Sequence, residues 1–181
     1  MRRTAPLLAA IILLGGCDGE PTITDPTADM QPLAATSQMS ASEQQDLAAL
    51  RAATASFHRI EVAKAAGYDV QFPAGCFSSP AGGMGFHYLN GSKVGTLSVT
   101  EPQLAMYEPR KDGSLRLVGF EYIVPGVPTE TAPVLFGQTF EYNSTFSVWA
   151  LHVWAWKNNP SGLFSDWNPT VSCQYADRAQ L

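Results

Sequence analysis

The sequence is poor in positive charge. It carries 11 Lys and Arg residues against 16 Asp and Glu residues, for a net charge of −5 at pH 7 with His neutral, and its basic residues form no cluster. Binding to nucleic acid and electrostatic binding to membranes both depend on a basic surface. The composition therefore argues against nucleic acid as a partner, and it leaves any membrane attachment to be made by other means.

The sequence also lacks an apolar run long enough for a membrane-spanning helix. The run at residues 5–14 is too short, because a transmembrane helix requires about 20 apolar residues. Arg2 and Arg3 precede this run, and Gly15 and Gly16 follow it. A charged start, an apolar centre and small residues at the end are typical of an export signal. Residues 1–16 are therefore predicted to be a signal peptide that is removed.

The end of this signal resembles a lipobox, the motif after which lipoprotein precursors are cleaved. The sequence there is Leu-Leu-Gly-Gly-Cys, at residues 13–17. The resemblance implies that Cys17 becomes the lipidated first residue, and each buried methylene of its acyl chains contributes about 0.8 kcal/mol to membrane binding. We expect an extracytoplasmic lipoprotein of the bacterial cell envelope that contacts the membrane through its lipid anchor only. An ordinary secretory signal with a chance cysteine is the alternative.

The mature chain divides into a tether and one domain. Residues 17–40 are rich in Pro, Thr, Asp, Gln and Ala and show no helical or strand periodicity, which predicts a lipidated, flexible tether. Residues 41–181 are expected to form a single globular α+β domain. A domain of about 140 residues is large enough to bury roughly two thirds of the surface of its unfolded chain.

Cysteine is scarce, and its use is informative. There are three cysteines, and lipidation of Cys17 leaves only Cys76 and Cys173. Outside the cytoplasm these two are expected to form a disulfide. A bridge between them closes a loop of roughly 100 residues, which in the chain-entropy model contributes about 4 to 5 kcal/mol to stability. A redox or metal-thiolate role for the pair is the alternative.

The first element of the domain is predicted to be one long helix at residues 43–66. Ser40 and Glu43 have the spacing of a capping box, and Gly67 is a typical helix end. The residues that repeat at helical spacing on one side are Leu47, Leu50, Ala53, Phe57 and Ile60. Glu61 falls in the same stripe. Its carboxylate either lies at the edge and pairs with Lys64 or Arg59, or is directed at a polar site as a candidate acid or base.

After the helix, the sequence predicts short strands separated by Gly, Pro and Asn. The candidate strands are residues 68–72, 83–89, 104–108, 115–124, 134–140 and 145–157. Residues 125–133 are rich in proline and are expected to form a loop, and the tail from Asn158 is expected to be irregular. Because the connections are short, the strands are expected to pair in the antiparallel sense. The predicted fold is α+β, with a long N-terminal helix packed on a curved, mainly antiparallel β-sheet.

Three titratable residues lie inside predicted strands, on faces that are otherwise apolar or small. His87 shares its face with Gly85 and Leu89; Glu121 shares its face with Leu117, Gly119 and Ile123; and His152 shares its face with Val148, Ala150 and Trp154. A buried carboxylate or imidazole is costly unless it has a partner. Mutual contact among His87, Glu121 and His152 would remove that cost.

Such a cluster has three interpretations. Two imidazoles and a carboxylate can bind Zn or Fe and leave a coordination position open. Without a metal, they can form the polar floor of a pocket for a small-molecule ligand, which would be lined by Phe86, Tyr122, Trp154 and Trp156. They can also be ordinary core residues that never meet. Local metal motifs such as H-E-x-x-H are absent, as are the G-x-S-x-G elbow and the phosphate-binding loop.

Four segments resemble a group of uncharacterised bacterial exported proteins and lipoproteins. They are Gly-Met-Gly-Phe-His-Tyr at 83–88, Leu-Val-Gly-Phe-Glu-Tyr at 117–122, Leu-His-Val-Trp-Ala-Trp-Lys-Asn-Asn-Pro at 151–160 and Trp-Asn-Pro-Thr-Val-Ser-Cys at 167–173. The resemblance covers residues 50–173 and implies relatives, not an activity. His87, Glu121 and His152 all lie inside these segments.

The leading functional hypothesis is binding of a small ligand or a metal ion in a pocket floored by His87, Glu121 and His152. The alternative is a metal-dependent hydrolase or oxygenase that uses the same residues, with Glu61 as its general base. A third class is a structural or partner-binding envelope lipoprotein whose useful surface is the loop at residues 125–133.

Replacing the lipidated cysteine tests the membrane assignment. Cys17→Ser is expected to abolish incorporation of labelled fatty acid and to move the protein from the membrane fraction to the soluble fraction of a bacterial host. Both are read by autoradiography and by immunoblotting of the fractions, with Cys76→Ser as the matched control. Unchanged lipid labelling of Cys17→Ser would contradict the assignment.

Overall fold

The computed structural model describes residues 39–179, and these form an α+β fold with a curled antiparallel sheet. The predicted signal peptide, the lipidation of Cys17 and nearly all of the predicted tether lie outside the described residues. Within residues 39–179, no helix is long and apolar enough to cross a membrane.

Helix α1 (Ala41–Thr54) begins with the predicted capping box. The backbone N–H of Glu43 donates to the Ser40 hydroxyl at 3.2 Å, and the backbone N–H of Ser40 donates to the Glu43 carboxylate at 2.6 Å. This exchange satisfies two amide groups that have no partner inside the helix. Leu47 and Leu50 then bury the inner side of α1 against the sheet.

The prediction of one continuous helix to residue 66 is wrong. The helix ends at Thr54, a 3₁₀ turn follows (Ala55–His58), and a short helix α2 (Ile60–Ala65) completes the segment. The buried Thr54 hydroxyl donates to the Leu50 carbonyl at 2.7 Å and accepts from the Trp156 indole at 3.3 Å. A threonine that bonds back along a helix tends to bend it. The contact with Trp156 is long-range, so hydrophobic periodicity could not predict this break.

Eight strands follow. They are β1 (Val70–Ser79), β2 (Gly82–Leu89), β3 (Leu104–Pro109), β4 (Leu115–Pro125), β5 (Val134–Leu135), β6 (Gln138–Thr139), β7 (Glu141–Asn143) and β8 (Val148–Val153). Six of them form one sheet in the order β1-β2-β3-β4-β8-β7, and β5 and β6 form a separate hairpin. All of these pairs are antiparallel, as predicted.

Three predicted strands are wrong in extent. The strand predicted at residues 68–72 begins at Val70 and continues to Ser79 as β1. The segment at residues 134–140 is the β5–β6 hairpin, because Phe136 and Gly137 both have positive φ angles, 53° and 66°, and turn the chain back. The predicted strand at residues 145–157 ends at Val153, where Ala155 bonds back to the Val153 carbonyl and the chain leaves the sheet. Strand β7 was not predicted at all. The loop at residues 125–133 and the irregular tail are as expected.

The two faces of the sheet bury different sets of side chains. Phe86 and Tyr88 of β2 join the main core beneath the helices, where the Tyr107 hydroxyl donates to the Phe57 carbonyl at 2.7 Å. Because side chains alternate along a strand, His87 points to the opposite face. The candidate site therefore lies on the sheet face that the helices do not cover.

A bulge in β4 changes which residues share that face. Met106 of β3 pairs with Gly119, but Tyr107 pairs with Leu117, so Val118 is an extra residue. Leu117 consequently belongs to the main core, while Val118 packs with Met106 on the other side. The prediction that Leu117 shares a face with Glu121 is wrong for this reason.

The predicted disulfide is present. Cys76 of β1 and Cys173 of the irregular tail are joined, with their Cα atoms 5.7 Å apart and a sequence separation of 97 residues. The bond ties the end of the described chain to the edge strand of the six-stranded sheet.

Removing this bond is expected to destabilise the domain. Replacing Cys76 and Cys173 together by Ser should lower the free energy of unfolding by about 4 to 5 kcal/mol, because the unfolded chain regains the entropy of a long open loop. Guanidinium unfolding followed by tryptophan fluorescence measures the change, with Cys17→Ser as the control. Equal stability of the double variant and the control would contradict it.

Candidate metal centre

The structure brings together the three residues that the sequence analysis singled out. His87 lies on β2, Glu121 on β4 and His152 on β8. His87 Nε2 is 3.6 Å from one Glu121 carboxylate oxygen, and His152 Nε2 is 3.8 Å from the other. One ligand atom from each residue lies within 4.8 Å of the other two.

The register of the strands explains why these three side chains lie together. Glu121 pairs directly with His152 on the neighbouring strand. Strand β3 lies between His87 and Glu121, and His87 pairs across it with Met106, which in turn pairs with Gly119. Gly119 leaves no space for a side chain, since a Cβ there would come within 2.9 Å of Met106 and within 2.5 Å of the Val153 carbonyl oxygen. Gly119 lies on β4 with Glu121, and its missing side chain leaves room for the Met106 side chain of β3 between the two sides of the cluster.

A large bulge in β1 uncovers His87. Gln71 pairs with Tyr88 and Cys76 pairs with Phe86, so a long piece of β1 spans a short piece of β2, and His87 has no direct partner on β1. Phe72 and Pro73 lie in the bulge and line the space above the three residues. The bulge thus turns the sheet face into a recess.

This recess is a cavity of about 160 Å³ with the polar cluster at its floor. Its walls are mainly apolar. The lining residues other than the cluster are Phe72, Pro73, Phe77, Met84, Leu104, Ile123, Asn143, Phe146, Val148 and Trp167. At the rim, the rings of Phe72 and Phe146 meet edge to face with their centroids 5.5 Å apart.

His87 is held as a neutral imidazole. Only 3% of its surface is exposed, and burial, followed by the nearby His152, lowers its pKa to about 3. The Gly85 backbone acts in the opposite direction, but without the geometry of a hydrogen bond, so the buried Nδ1 of His87 has no partner. A neutral imidazole is the form that binds a metal ion.

His152 is oriented by a carboxylate behind it. Its Nδ1 lies 3.0 Å from the Asp166 carboxylate, while its Nε2 is buried, faces Glu121 and has no hydrogen-bond partner. Burial lowers the pKa of His152, but Glu121 and Asp166 outweigh that effect, so the pKa is raised. The hydrogen bond to His152 lowers the pKa of Asp166. A histidine whose outer nitrogen bonds a carboxylate is the usual arrangement at protein metal sites.

Glu121 is 13% exposed and lies between the two histidines. Burial raises the pKa of its carboxyl above the ordinary value, His152 opposes this shift, and Asp166 adds to it. Two imidazoles and one carboxylate form the ligand set of many Zn and non-haem Fe sites. In a tetrahedral Zn site, neighbouring ligand atoms lie about 3.3 Å apart. The observed separations of 3.6 and 3.8 Å run to the two different oxygens of Glu121, and the ligand atoms of the three residues lie within 4.8 Å of one another, which is wider than that spacing.

The structure does not bring Glu61 into this group. Glu61 is exposed on α2 and lines a separate depression with Asp112 and Ser114. Its carboxylate is exposed, as the first of the two interpretations expected, but among the described residues it forms no ion pair with Lys64 or Arg59.

The aromatic residues predicted to line the pocket are also elsewhere. Phe86 and Tyr122 lie in the main core, Trp154 packs with Met106, and Trp156 bonds to Thr54. That prediction is wrong because it took aromatic residues adjacent to the cluster in sequence, which point to other parts of the fold. The walls come from β1 and its bulge, the β7–β8 turn, the tail and side chains of the other sheet strands, among them Ile123 and Val148. Asp166, which the sequence analysis missed, lies in the irregular tail, where no periodic signal could reveal it.

No family model, curated protein or solved structure matches this chain. The resemblance of its four segments to exported bacterial proteins stays a prediction.

Proposed function

We propose that this protein is an exported, lipid-anchored protein that binds one transition-metal ion, Zn²⁺ or Fe²⁺, through His87, Glu121 and His152. The observation that carries the proposal is the buried Nε2 of His152. It has no hydrogen-bond partner, and it is directed at the point where ligand atoms of the other two residues converge.

The separations within the cluster favour a metal site over a hydrogen-bonded network. Hydrogen bonds between nitrogen and oxygen are about 2.7 to 3.2 Å long, and the two contacts to Glu121 exceed that range. A buried polar atom without a partner costs about 1 to 3 kcal/mol. An ion among the three residues would give His152 Nε2 a partner.

The number of ligands supports an open coordination position. Structural Zn sites have four protein ligands, whereas catalytic sites have three and keep one position for water or substrate. The three residues here lie at the floor of a cavity, so the open position faces the space above them. When bound, such an ion supplies a Lewis acid that polarises an oxygen atom or acidifies a water molecule.

A metal-dependent hydrolase or oxygenase is the second candidate, and the observation that favours it is the same open position. Glu61 is too poorly placed to be its general base, because it is exposed on α2 and absent from the cavity lining. Any acid or base would come from the cluster itself or from Asp166, which bonds His152.

Metal analysis tests the proposal. We expect the mature protein, purified without chelator and then exposed to Zn²⁺ or Fe²⁺ and desalted, to retain one ion per chain by elemental analysis. At a free metal concentration one hundred times the Kd, binding should stabilise the fold by about 2.7 kcal/mol. His87→Ala, Glu121→Gln and His152→Ala should each abolish both effects.

The chain supplies its own control. It has three histidines, and the third, His58, is exposed on the 3₁₀ turn and does not line the cavity. His58→Ala should therefore keep the ion. If the folded protein binds no ion, or if His58→Ala loses the ion as His152→Ala does, the proposal fails.

Asp166 is expected to act on the metal through His152. Asp166→Asn removes the charge that orients the imidazole, and losses of this kind weaken metal affinity about 10- to 100-fold. Competition with a chromophoric chelator measures the change. Asp69→Asn, which alters an exposed carboxylate of the same type, is the control, and an unchanged affinity of Asp166→Asn would remove Asp166 from the site.

A further inference from the structure

We infer that the cavity above the metal centre binds a small aromatic monoanion, one ring bearing a single carboxylate or phenolate, with the anionic oxygen on the ion. This inference rests on the proposed metal site and adds the class of its ligand. Four features of the cavity support it: the separation of polar floor from apolar walls, the volume, the charge and the aromatic rim.

The cavity separates polar from apolar groups along its depth. His87, Glu121 and His152 form the floor, while Phe77, Ile123 and other apolar side chains form the walls. Buried apolar walls favour an apolar group, because that group leaves water on entry. A ligand that satisfies both regions has a polar head for the ion and an apolar body for the walls.

The volume limits that body to about one ring. An apolar protein cavity of about 150 Å³ holds one benzene molecule. The cavity here is about 160 Å³ and also contains the metal's open position. A two-ring body would therefore exceed the cavity, whose sheet walls include Ile123 of β4 and Val148 of β8.

The charge of the floor selects a monoanion. A divalent ion bound by one carboxylate and two neutral imidazoles carries a net charge of +1. No Lys or Arg is among the described residues that line the cavity, so a dianion would find no second positive charge. Asp166 lies on the other side of the His152 ring and is 50% exposed, so solvent screens its charge.

The rim supplies aromatic partners. Phe72 and Phe146 are 41% and 37% exposed, which is unusual for large apolar side chains, and they come from the β1 bulge and the β7–β8 turn. They already meet edge to face, and each such aromatic contact contributes about 0.5 to 1.5 kcal/mol beyond the area it buries. A ligand ring in the cavity beneath this pair would contact both rings and cover two exposed side chains.

Benzoate is the probe, and the cobalt-loaded mature protein reports on it, because the visible absorption of Co²⁺ changes when a ligand enters its coordination sphere. We expect benzoate to bind one per chain. Acetate lacks the ring, 2-naphthoate is too large, and benzamide lacks the charge; each should bind at least tenfold more weakly. Calorimetry with metal-free protein should likewise show at least a tenfold loss for benzoate.

Variants test the contribution of the cavity walls to benzoate binding separately from the binding of the metal. Phe146→Ala should keep the cobalt ion and weaken benzoate about two- to tenfold, as expected for the loss of one aromatic contact. Val134→Ala, which shortens an exposed side chain of the β5–β6 hairpin, should leave benzoate binding unchanged. Asp166→Asn should weaken the binding of cobalt.

The outcomes distinguish this inference from the proposal beneath it. If cobalt does not bind, the proposed metal site fails. If cobalt binds but benzoate binds no better than acetate, the metal site stands and the aromatic cavity is overturned as a ligand site. Equal binding of 2-naphthoate overturns the size limit, and equal binding of benzoate to metal-free protein overturns coordination through its oxygen.

Discussion

The structure depends on one costly placement: a carboxylate and two imidazoles are buried on a single face of an antiparallel sheet. Removing such groups from water costs several kcal/mol unless they find partners. The neighbouring features accommodate this placement. Gly119 leaves room for the Met106 side chain between the two sides of the cluster, and Asp166 bonds the outer nitrogen of His152. The cluster lies on the sheet face away from the helices, and that face also buries a smaller apolar core of Met106, Val118, Trp154 and Val171.

The sheet face that packs against the helices shows how the protein treats buried polar groups that only stabilise the fold. Three tyrosines of the main core each donate their hydroxyl to a backbone carbonyl: Tyr68 to Pro102 at 2.7 Å, Tyr107 to Phe57 at 2.7 Å and Tyr122 to Val99 at 2.5 Å. On the face that the helices do not cover, His87 Nδ1 and His152 Nε2 have no hydrogen-bond partner. Trp149 Nε1, in the main core, likewise has no partner, so a missing partner alone does not mark a site. The two histidines differ from Trp149 because they lie beside Glu121 at the floor of the cavity.

Sequence patterns predicted correctly those features of the fold that depend on residues close together in the sequence or on residue counts. Ser40 and Glu43 mark the helix start, alternation along the strands placed His87, Glu121 and His152 on inward faces, and the cysteine count gave the Cys76–Cys173 bond. One miss is local, because Phe136 and Gly137 turn the chain between β5 and β6. Other misses are long-range. Trp156 reaches Thr54 and ends the helix, Val118 shifts the register of β4, and Asp166 comes to His152 from an irregular segment. Their causes lie in residues far away along the chain, where periodicity carries no information.

The bulge in β1 also has an evolutionary meaning. Because it lies in an edge strand, between residues paired normally on either side, it can shorten or lengthen without altering the order of the sheet. A relative that pairs its first two strands without the extra residues would keep this architecture and close the recess over His87. The length of the segment between Gln71 and Cys76 therefore distinguishes an open recess from a closed one within the same scaffold.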